Sequence, residues 1–310
     1  MTTGLGPLQS LLDDPDVFEV MVANDGHVWV EDRSGLRHER CLTTAQVENC
    51  IEHISRTSGR PIDMLRPVLD GRLTADVRAC VVIPPVAVNG ASINLRKFPS
   101  RILPLAAFAT DVPAEIVRDL VSARRNVVVS GSTSSGKTSL LSTVSRLFSR
   151  ADRVVCVEDT HELRFAHPHV VHLQTRTPNQ EGVGEVTMRD LVRTSLRMRP
   201  DRLVVGEVRG AEAIDMVLAM TSGHTGCWSS VHATDAFATL PRIAHIIVRD
   251  APQWSRDLAL EMAMSAIDAV IHMSRRPGGR RRIEAIVSFT DGASETLWCA
   301  DQSQESPSWS

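Results

Sequence analysis

Val127–Leu141 reads VVVSGSTSSGKTSLL. β-branched residues lead into a turn of glycine and serine, then a lysine, then an apolar helix start. The run Gly131-Ser132-Thr133-Ser134-Ser135-Gly136-Lys137-Thr138 satisfies G-x-x-x-x-G-K-[ST], with a strand before it and a helix after it as that motif requires. Backbone N–H groups of such a loop and the helix N-terminus together make an anion site. Lys137 is placed to reach the β- and γ-phosphates of a nucleoside triphosphate, and the Thr138 hydroxyl to bind Mg²⁺. Ser139 completes the nucleotide-binding stretch. Of 34 basic residues only Lys97 and Lys137 are lysines, which makes a chance lysine inside the motif less credible.

Outward from this loop the chain alternates strand and helix. Asn126–Ser130 reads as a buried strand, Thr138–Phe148 as a helix, Arg153–Val157 as a strand and Met188–Arg197 as a helix. Arg202–Val205 follows as a strand, Glu212–Thr221 as a helix and Cys227–Val231 as an extended segment. Such alternation predicts a parallel sheet covered by helices on both faces. Two of these strands deliver acids to their carboxyl ends, where open α/β sheets hold ligands. Asp201–Gly210 (DRLVVGEVRG) brings Glu207, a residue able to orient water and to hold a metal's hydration shell. Val157–Leu163 (VEDTHEL) carries Glu158, Asp159 and Glu162, which repel one another unless a cation or hydrogen bonds compensate. Gly223–Thr234 (GHTGCWSSVHAT) adds His224 and His232 on either side of a strand, beside glycines that permit tight turns.

The first hundred residues have another texture. Val17–Val22 and His27–Val30 flank Asn24-Asp25-Gly26 as a hairpin, and Thr43–Ser58 has helical spacing with Thr43/Thr44 as caps. A second hairpin is expected around Asn89-Gly90. The chain therefore divides into an α+β domain over 1–100, a proline-bearing linker over 101–114, an α/β domain over 115–300 and a polar tail over 301–310. Leu258–Met273, the longest apolar run, carries Glu261 and Asp268 and reads as a buried or amphipathic helix rather than a membrane span.

A net charge of −3 over 310 residues offers no global field for nucleic acid or acidic lipid. The N-terminus has no basic and apolar signal pattern, so a cytoplasmic protein is expected. The six cysteines form no CxxC pair and no metal spacing, and are expected to be reduced and mostly packed. His167, His169 and His172 (HPHVVH) raise the question of a metal site, since alternate residues of a strand, such as His167 and His169, share a face. Arg189, Arg193 and Arg197 form a basic helix stripe, read as a solvated face or subunit contact. Arg275–Arg282 reads as a charged turn between two strands.

In order, the phosphate loop, VEDTHELR, PDRLVVGEVRG and GHTGCWSSVHATDA resemble the Walker A, Asp box, Walker B and His box of the type II/type IV secretion ATPases. The likeness is greatest to the CpaF/TadA branch that powers Tad/Flp-type pilus assembly. It extends to PLQSLLDDPDVFEVMV, DGRLTADVRACVVIPP and INLRKF near the N-terminus, and covers most of residues 5–290. The resemblance implies a RecA-like P-loop NTPase core with a smaller N-terminal α+β domain. It implies a cytosolic hexameric ring, bound peripherally at the inner face of the membrane to a platform protein, that hydrolyses ATP with Mg²⁺. Arg72, Arg78 and Arg96 match arginines that reach the nucleotide from the N-terminal domain. Glu207 is implied to polarise water and, with Thr138, to serve the metal. Glu158 or Glu162 is implied to assist, and His232 and His224 to sense the γ-phosphate.

Departures are expected to matter locally. Ser132 and Ser134 replace glycines of the family's loop, and positive φ there would introduce strain. By the resemblance, the N-terminal helical extension frequent in the family is expected to be essentially missing here. The tetracysteine element of some relatives is absent too, so no structural zinc is expected, and HPHVVH occurs in the family without a metal. Two other readings compete with the secretion motor. A RecA-like nucleic-acid motor would need a basic channel bearing aromatics, which 4% aromatic residues and no tyrosine argue against. An ATP-binding, weakly hydrolysing assembly partner would combine tight binding with slow turnover.

Overall fold

The structure is a computed structural model, describing residues 4–32, 34–98, 101–179, 181–276, 279–290 and 293–300. The chain divides into two compact units between Arg101 and Ile102.

In the first unit, α1 (Gln9–Asp13) precedes β1 (Val17–Val22), β2 (His27–Asp32) and β3 (Gly35–Cys41). Then come α2 (Thr44–Ser58), β4 (Val68–Thr74), β5 (Val77–Val82) and β6 (Ser92–Lys97). The sheet is antiparallel throughout, in the order β3-β2-β1-β6-β5-β4. Thr43 caps α2 through a reciprocal capping box with Gln46, and Gly59 closes it at φ 67°. The apolar face of α2 (Val47, Cys50, Ile54) joins Val20, Val28, Val30, Ala79, Val81 and Leu95 in one core. Alternation along β5, buried then half-buried, is the signature of a sheet with one covered face. The second hairpin expected around Asn89-Gly90 forms, with β5 and β6 paired antiparallel across a long connection. Pro84 and Pro85 supply no N–H for a ladder, so the strand ends before them.

The second unit holds α3 (Asp111–Ser122), β7 (Val127–Gly131), α4 (Lys137–Val144), β8 (Val154–Glu158), β9 (Val170–Gln174) and α5 (Met188–Leu196). It continues with β10 (Arg202–Val205), α6 (Glu212–Thr221), β11 (Trp228–Val231), α7 (Thr239–Asp250) and α8 (Arg256–Ala266). The last elements are β12 (Ala269–Arg275), β13 (Arg281–Thr290) and β14 (Ala293–Cys299). The sheet order is β14-β13-β12-β7-β11-β10-β8-β9. From β12 to β9 every pair is parallel, and β13 and β14 add an antiparallel edge. Separate apolar cores cover the two faces, one built with α5–α8 and the other with α3 and α4. This is the RecA-like α/β fold expected for the core.

Two expectations fail. Segment 101–114 is not a free linker: Leu105, Phe108 and Ala109 are buried in the core that includes Val127 and Val129, and α3 begins at Asp111. Its apolar residues outweigh the prolines. The apolar run at 258–273 is not one helix. α8 ends at Ala266, and the Asp268 carboxylate accepts from Asn126 N at 2.7 Å and from Arg125 Nη1 at 3.0 Å. That anchor aligns the following β-branched and apolar residues as β12 beside β7. Residues 301–310 lie outside the described residues.

Candidate active site

Parallel pairing places the carboxyl ends of β12, β7, β11, β10 and β8 along one edge. Val231 is opposite Ser130, and Val205 is opposite both Ser229 and Val157. The next residues are therefore neighbours by register: Gly131 of the loop, His232, Gly206-Glu207 and Glu158. Ser230 Oγ donates to Gly206 O at 2.7 Å, and Gly206 N donates to Val157 O at 2.8 Å, fixing the peptide that presents Glu207.

Gly131 has φ 150° and Gly136 φ 100°. A Cβ at Gly131 would stand 2.4 Å from Met273 O and 2.6 Å from Ser135 Oγ, so the loop starts where no side chain fits. Ser134 takes φ 60°, the left-handed conformation anticipated as a source of strain, whereas Ser132 does not. Gly136 is the N-cap of α4 and no side chain caps the helix. The first-turn N–H groups have no intrahelical carbonyl, which suits a phosphate. Ser135 Oγ is buried without a hydrogen-bond partner. Thr138 and Ser139, the second and third residues of α4, are half-buried, and Ser132 and Thr133 are exposed.

Lys137 is 7% exposed and donates to Gly131 O at 3.0 Å and Ser132 O at 2.9 Å. Its Nζ is also 3.3 Å from His232 Nδ1. On the far side of that ring, Nε2 is 2.6 Å from Glu207 Oε1, close but not along a hydrogen-bond direction. Glu207 Oε2 pairs with Arg209. Burial and the adjacent Lys137 ammonium push the His232 pKa down, against the opposing pull of Glu207. The neutral ring can then accept at Nδ1 from Lys137 while its Nε2 edge lies against Glu207. Lysine, imidazole and carboxylate form one chain across β7, β11 and β10.

Glu212 holds the loop after Glu207: its Oε1 accepts from Arg209 N at 2.6 Å and Gly210 N at 2.7 Å. Glu158 is used differently. Its Oε1 accepts from Glu162 N at 2.9 Å and Leu163 N at 2.7 Å, while Oε2 meets His161 Nδ1 at 3.1 Å. Burial raises its pKa, but hydrogen bonds from His161, His172 and the two amides outweigh it and leave the carboxyl below its ordinary value. Gly206 leaves room for it, since a Cβ there would meet Glu158 Cγ at 3.0 Å. Glu162 is half-buried in the same loop.

His224 is not brought to this edge. It lies beyond the amino end of β11, the end opposite His232, and its Nδ1 is buried without a partner. Arg72, Arg78 and Arg96 belong to the first unit, where register sets them side by side: Arg72 faces Arg78, Arg78 faces Arg96, and Arg96 faces Glu19. Directly opposed residues share a sheet face, and like charges so placed repel. Asp70 relieves part of this, accepting from Arg78 Nε at 2.8 Å and Nη2 at 2.6 Å, while Arg72 Nε donates to Thr74 O at 3.0 Å. The Arg189/Arg193 stripe is committed within the unit, both donating to Asp215 at 2.7 and 2.8 Å.

Sequence reading missed two residues at the loop. His272 Nδ1 is 3.0 Å from Ser130 Oγ, in register with it, and burial lowers its pKa. Arg281 packs on Gly136, where an added Cβ would stand 2.9 Å from Arg281 Cδ. His272 falls in the run misread as helix, and Arg281 near the end of the stretch read as a charged turn between two strands, which β12 and β13 bear out. Fold and site together define a phosphate-loop nucleotide-binding protein.

The sequence profile described as type II/IV secretion system protein matches residues 1–299. The chain belongs to that family. It is 38% identical to a putative conjugal transfer protein of Mycobacterium tuberculosis (strain H37Rv), over 97% of this chain and 90% of that one. It is 31% identical to the type IV secretion system protein PtlH of Bordetella pertussis, over 93% and 94%. Among solved structures it resembles the VirB11 ATPase of the Brucella suis type IV secretion system in complex with sulphate, with 28% identity and a TM-score of 0.51, covering 92% of this chain and 93% of that one. Among the described residues no helix is long and apolar enough to cross a membrane.

Proposed function

We propose that the chain is the ATP-hydrolysing motor subunit of a type II/IV secretion or Tad/Flp-type pilus assembly machine. It works as a cytoplasmic hexameric ring against an inner-membrane platform protein. The observation that carries this reading is the Lys137–His232–Glu207 chain at the mouth of the phosphate loop. Membership of the family supports it, as does the resemblance of the four boxes to the CpaF/TadA branch; the relatives named above point toward conjugal transfer and type IV secretion.

Lys137 exchanges its two loop carbonyls for β- and γ-phosphate oxygens, and the first-turn N–H groups of α4 take the remaining phosphate contacts. Thr138 and Glu207 would hold Mg²⁺, which would neutralise phosphate charge. Glu207 orients the attacking water and accepts its proton, which leaves ADP and phosphate as products. His232 reports the engagement of Lys137 to Glu207, because the ring touches both. Glu158, with Glu162, shapes the neighbouring loop. The row Arg72–Arg78–Arg96 supplies cations to a nucleotide and stabilises charge on the transferring phosphoryl group, so that turnover is coupled to ring assembly. His224 has no part in the site within one subunit.

The test is ATP turnover per subunit as enzyme concentration rises, with Lys137→Ala as the blank and single-stranded DNA in a parallel series. Specific activity that climbs with concentration and ignores DNA supports a ring motor. Activity that is flat with concentration and stimulated by DNA replaces it with a nucleic-acid motor. Tight ATP binding without turnover by an intact ring identifies a non-hydrolysing assembly partner.

A further inference from the structure

His27, His38 and Cys41 lie far from the phosphate loop in sequence and belong to the first unit. They occupy the β2–β3 hairpin at the edge of the antiparallel sheet, and all three are exposed. Their donor atoms, His27 Nδ1, His38 Nε2 and Cys41 Sγ, lie within 4.8 Å of one another. His27 Nδ1 is 2.8 Å from His38 Nε2 and 3.1 Å from Cys41 Sγ.

Strand periodicity alone would not produce this cluster. His38 and Cys41 are three residues apart, so in a regular strand they point to opposite faces. Pairing runs His27 with Cys41 and Val28 with Arg40, then skips Glu39 and pairs Trp29 with His38. Glu39 is the extra residue of a β-bulge. Bulges re-aim side chains, and this one turns His38 onto the face that already bears His27 and Cys41. Trp29, directly opposite, packs edge-on against the His38 ring at 5.3 Å between centroids and holds its orientation.

Protons serve this arrangement poorly. A neutral imidazole nitrogen offers either one N–H or one lone pair, yet His27 Nδ1 is approached by two groups at once. The contacts with His38 and with the Cys41 thiol would have to share that single valence. A metal ion resolves the conflict, because it takes a lone pair from each of the three atoms and needs no proton between them. Two imidazoles and a thiolate are a donor set suited to Zn²⁺ and its neighbours rather than to Mg²⁺ or Ca²⁺. A tetrahedral zinc would separate the nitrogens by about 3.3 Å and each nitrogen from sulfur by about 3.6 Å. The two observed contacts, 2.8 and 3.1 Å, are each within about 0.5 Å of those values.

We propose that the bulged β2–β3 hairpin is a binding site for a zinc-type transition-metal ion, ligated by His27, His38 and Cys41 with a fourth position open to solvent. The other His/Cys/Glu cluster, Cys156–Glu158–His172, is less suited: Glu158 already accepts two backbone amides, and Cys156 is fully buried.

The experiment titrates the full-length chain, kept reduced, with cobalt(II) chloride and follows absorbance. One equivalent is expected to bring a near-ultraviolet thiolate-to-cobalt band and visible bands of tetrahedral cobalt, both abolished by added zinc. Cys41→Ser should remove the thiolate band, and His38→Ala should weaken binding at least about tenfold, since even the loss of outer contacts to a metal ligand has effects of that size. Both positions are exposed, and unchanged thermal unfolding of the metal-free variants confirms that they fold. Absence of the thiolate band from the parent chain, or its survival in Cys41→Ser, overturns the proposal.

Discussion

Glu158 and Glu207 end adjacent parallel strands, β8 and β10, and the same edge of the sheet receives both. Their fates differ. Glu158 is 3% exposed and turns into its own loop, where two backbone amides and two imidazoles surround it. Glu207 is half-buried between His232 and Arg209, and its carboxylate accepts no backbone hydrogen bond among the described residues. The cause is the path of the chain beyond each acid. After Glu158 the chain folds back on itself, so its own amides reach the carboxylate. After Glu207 a second acid, Glu212, takes over the amides of the turn and leaves the Glu207 carboxylate to side-chain partners. The role proposed for Glu207 needs a strand-end acid that the backbone around it does not occupy.

The contrast can be broken at either member. Glu207→Gln is expected to lower ATP turnover by about 10²–10⁴-fold, the usual range for losing a general base, with little change in urea unfolding. Comparable losses of turnover and stability would make Glu207 structural instead. Glu158→Ala leaves two amides without an acceptor and should destabilise the chain by roughly 2–5 kcal/mol, read from the urea midpoint. Because the Glu158 carboxyl sits below its ordinary value in the folded chain, its contribution is present in full above the unfolded value. It fades as pH falls from there through the folded value. The gap between the parent and Glu158→Ala should therefore narrow in acid; a constant gap would mean that packing, not charge, holds the loop.

The smallest effect is expected at Ser134. Left-handed backbone at a non-glycine residue carries about 1–2 kcal/mol of strain, and glycine returns about 0.4–1 kcal/mol of that through the unfolded state. Ser134→Gly should stabilise by less than about 1 kcal/mol in thermal unfolding. A clear loss of stability would show that the Ser134 side chain, rather than the turn, is what the loop uses.

Much of the second unit was legible from residue order. Apolar strands ending in a glycine turn or an acid are local patterns, and Met188, Arg202 and Glu212 begin their elements where the pattern says they should. Segments whose character depends on neighbours were not legible. Leu105 and Phe108 sit in a proline-bearing stretch that reads as linker, yet the core takes them. Ala269–Met273 reads as the end of a helix, yet Asp268 locks onto Asn126 and a strand slot beside β7 outcompetes the helix. With β12 and its antiparallel partner β13 come His272 and Arg281, the loop neighbours that sequence reading did not find.

The sequence by itself determined the phosphate loop, the acids at the strand ends, the α/β core and the family. Each is written in contiguous residues whose spacing carries the chemistry. Tertiary structure alone decided which acid faces the cleft, which histidine touches Lys137, and that three arginines share one row. It also decided that His27, His38 and Cys41 share one face. These depend on strand register and on a single bulged residue, Glu39, and register is set by pairing between strands and by the turns that join them, which the pattern within one strand does not encode.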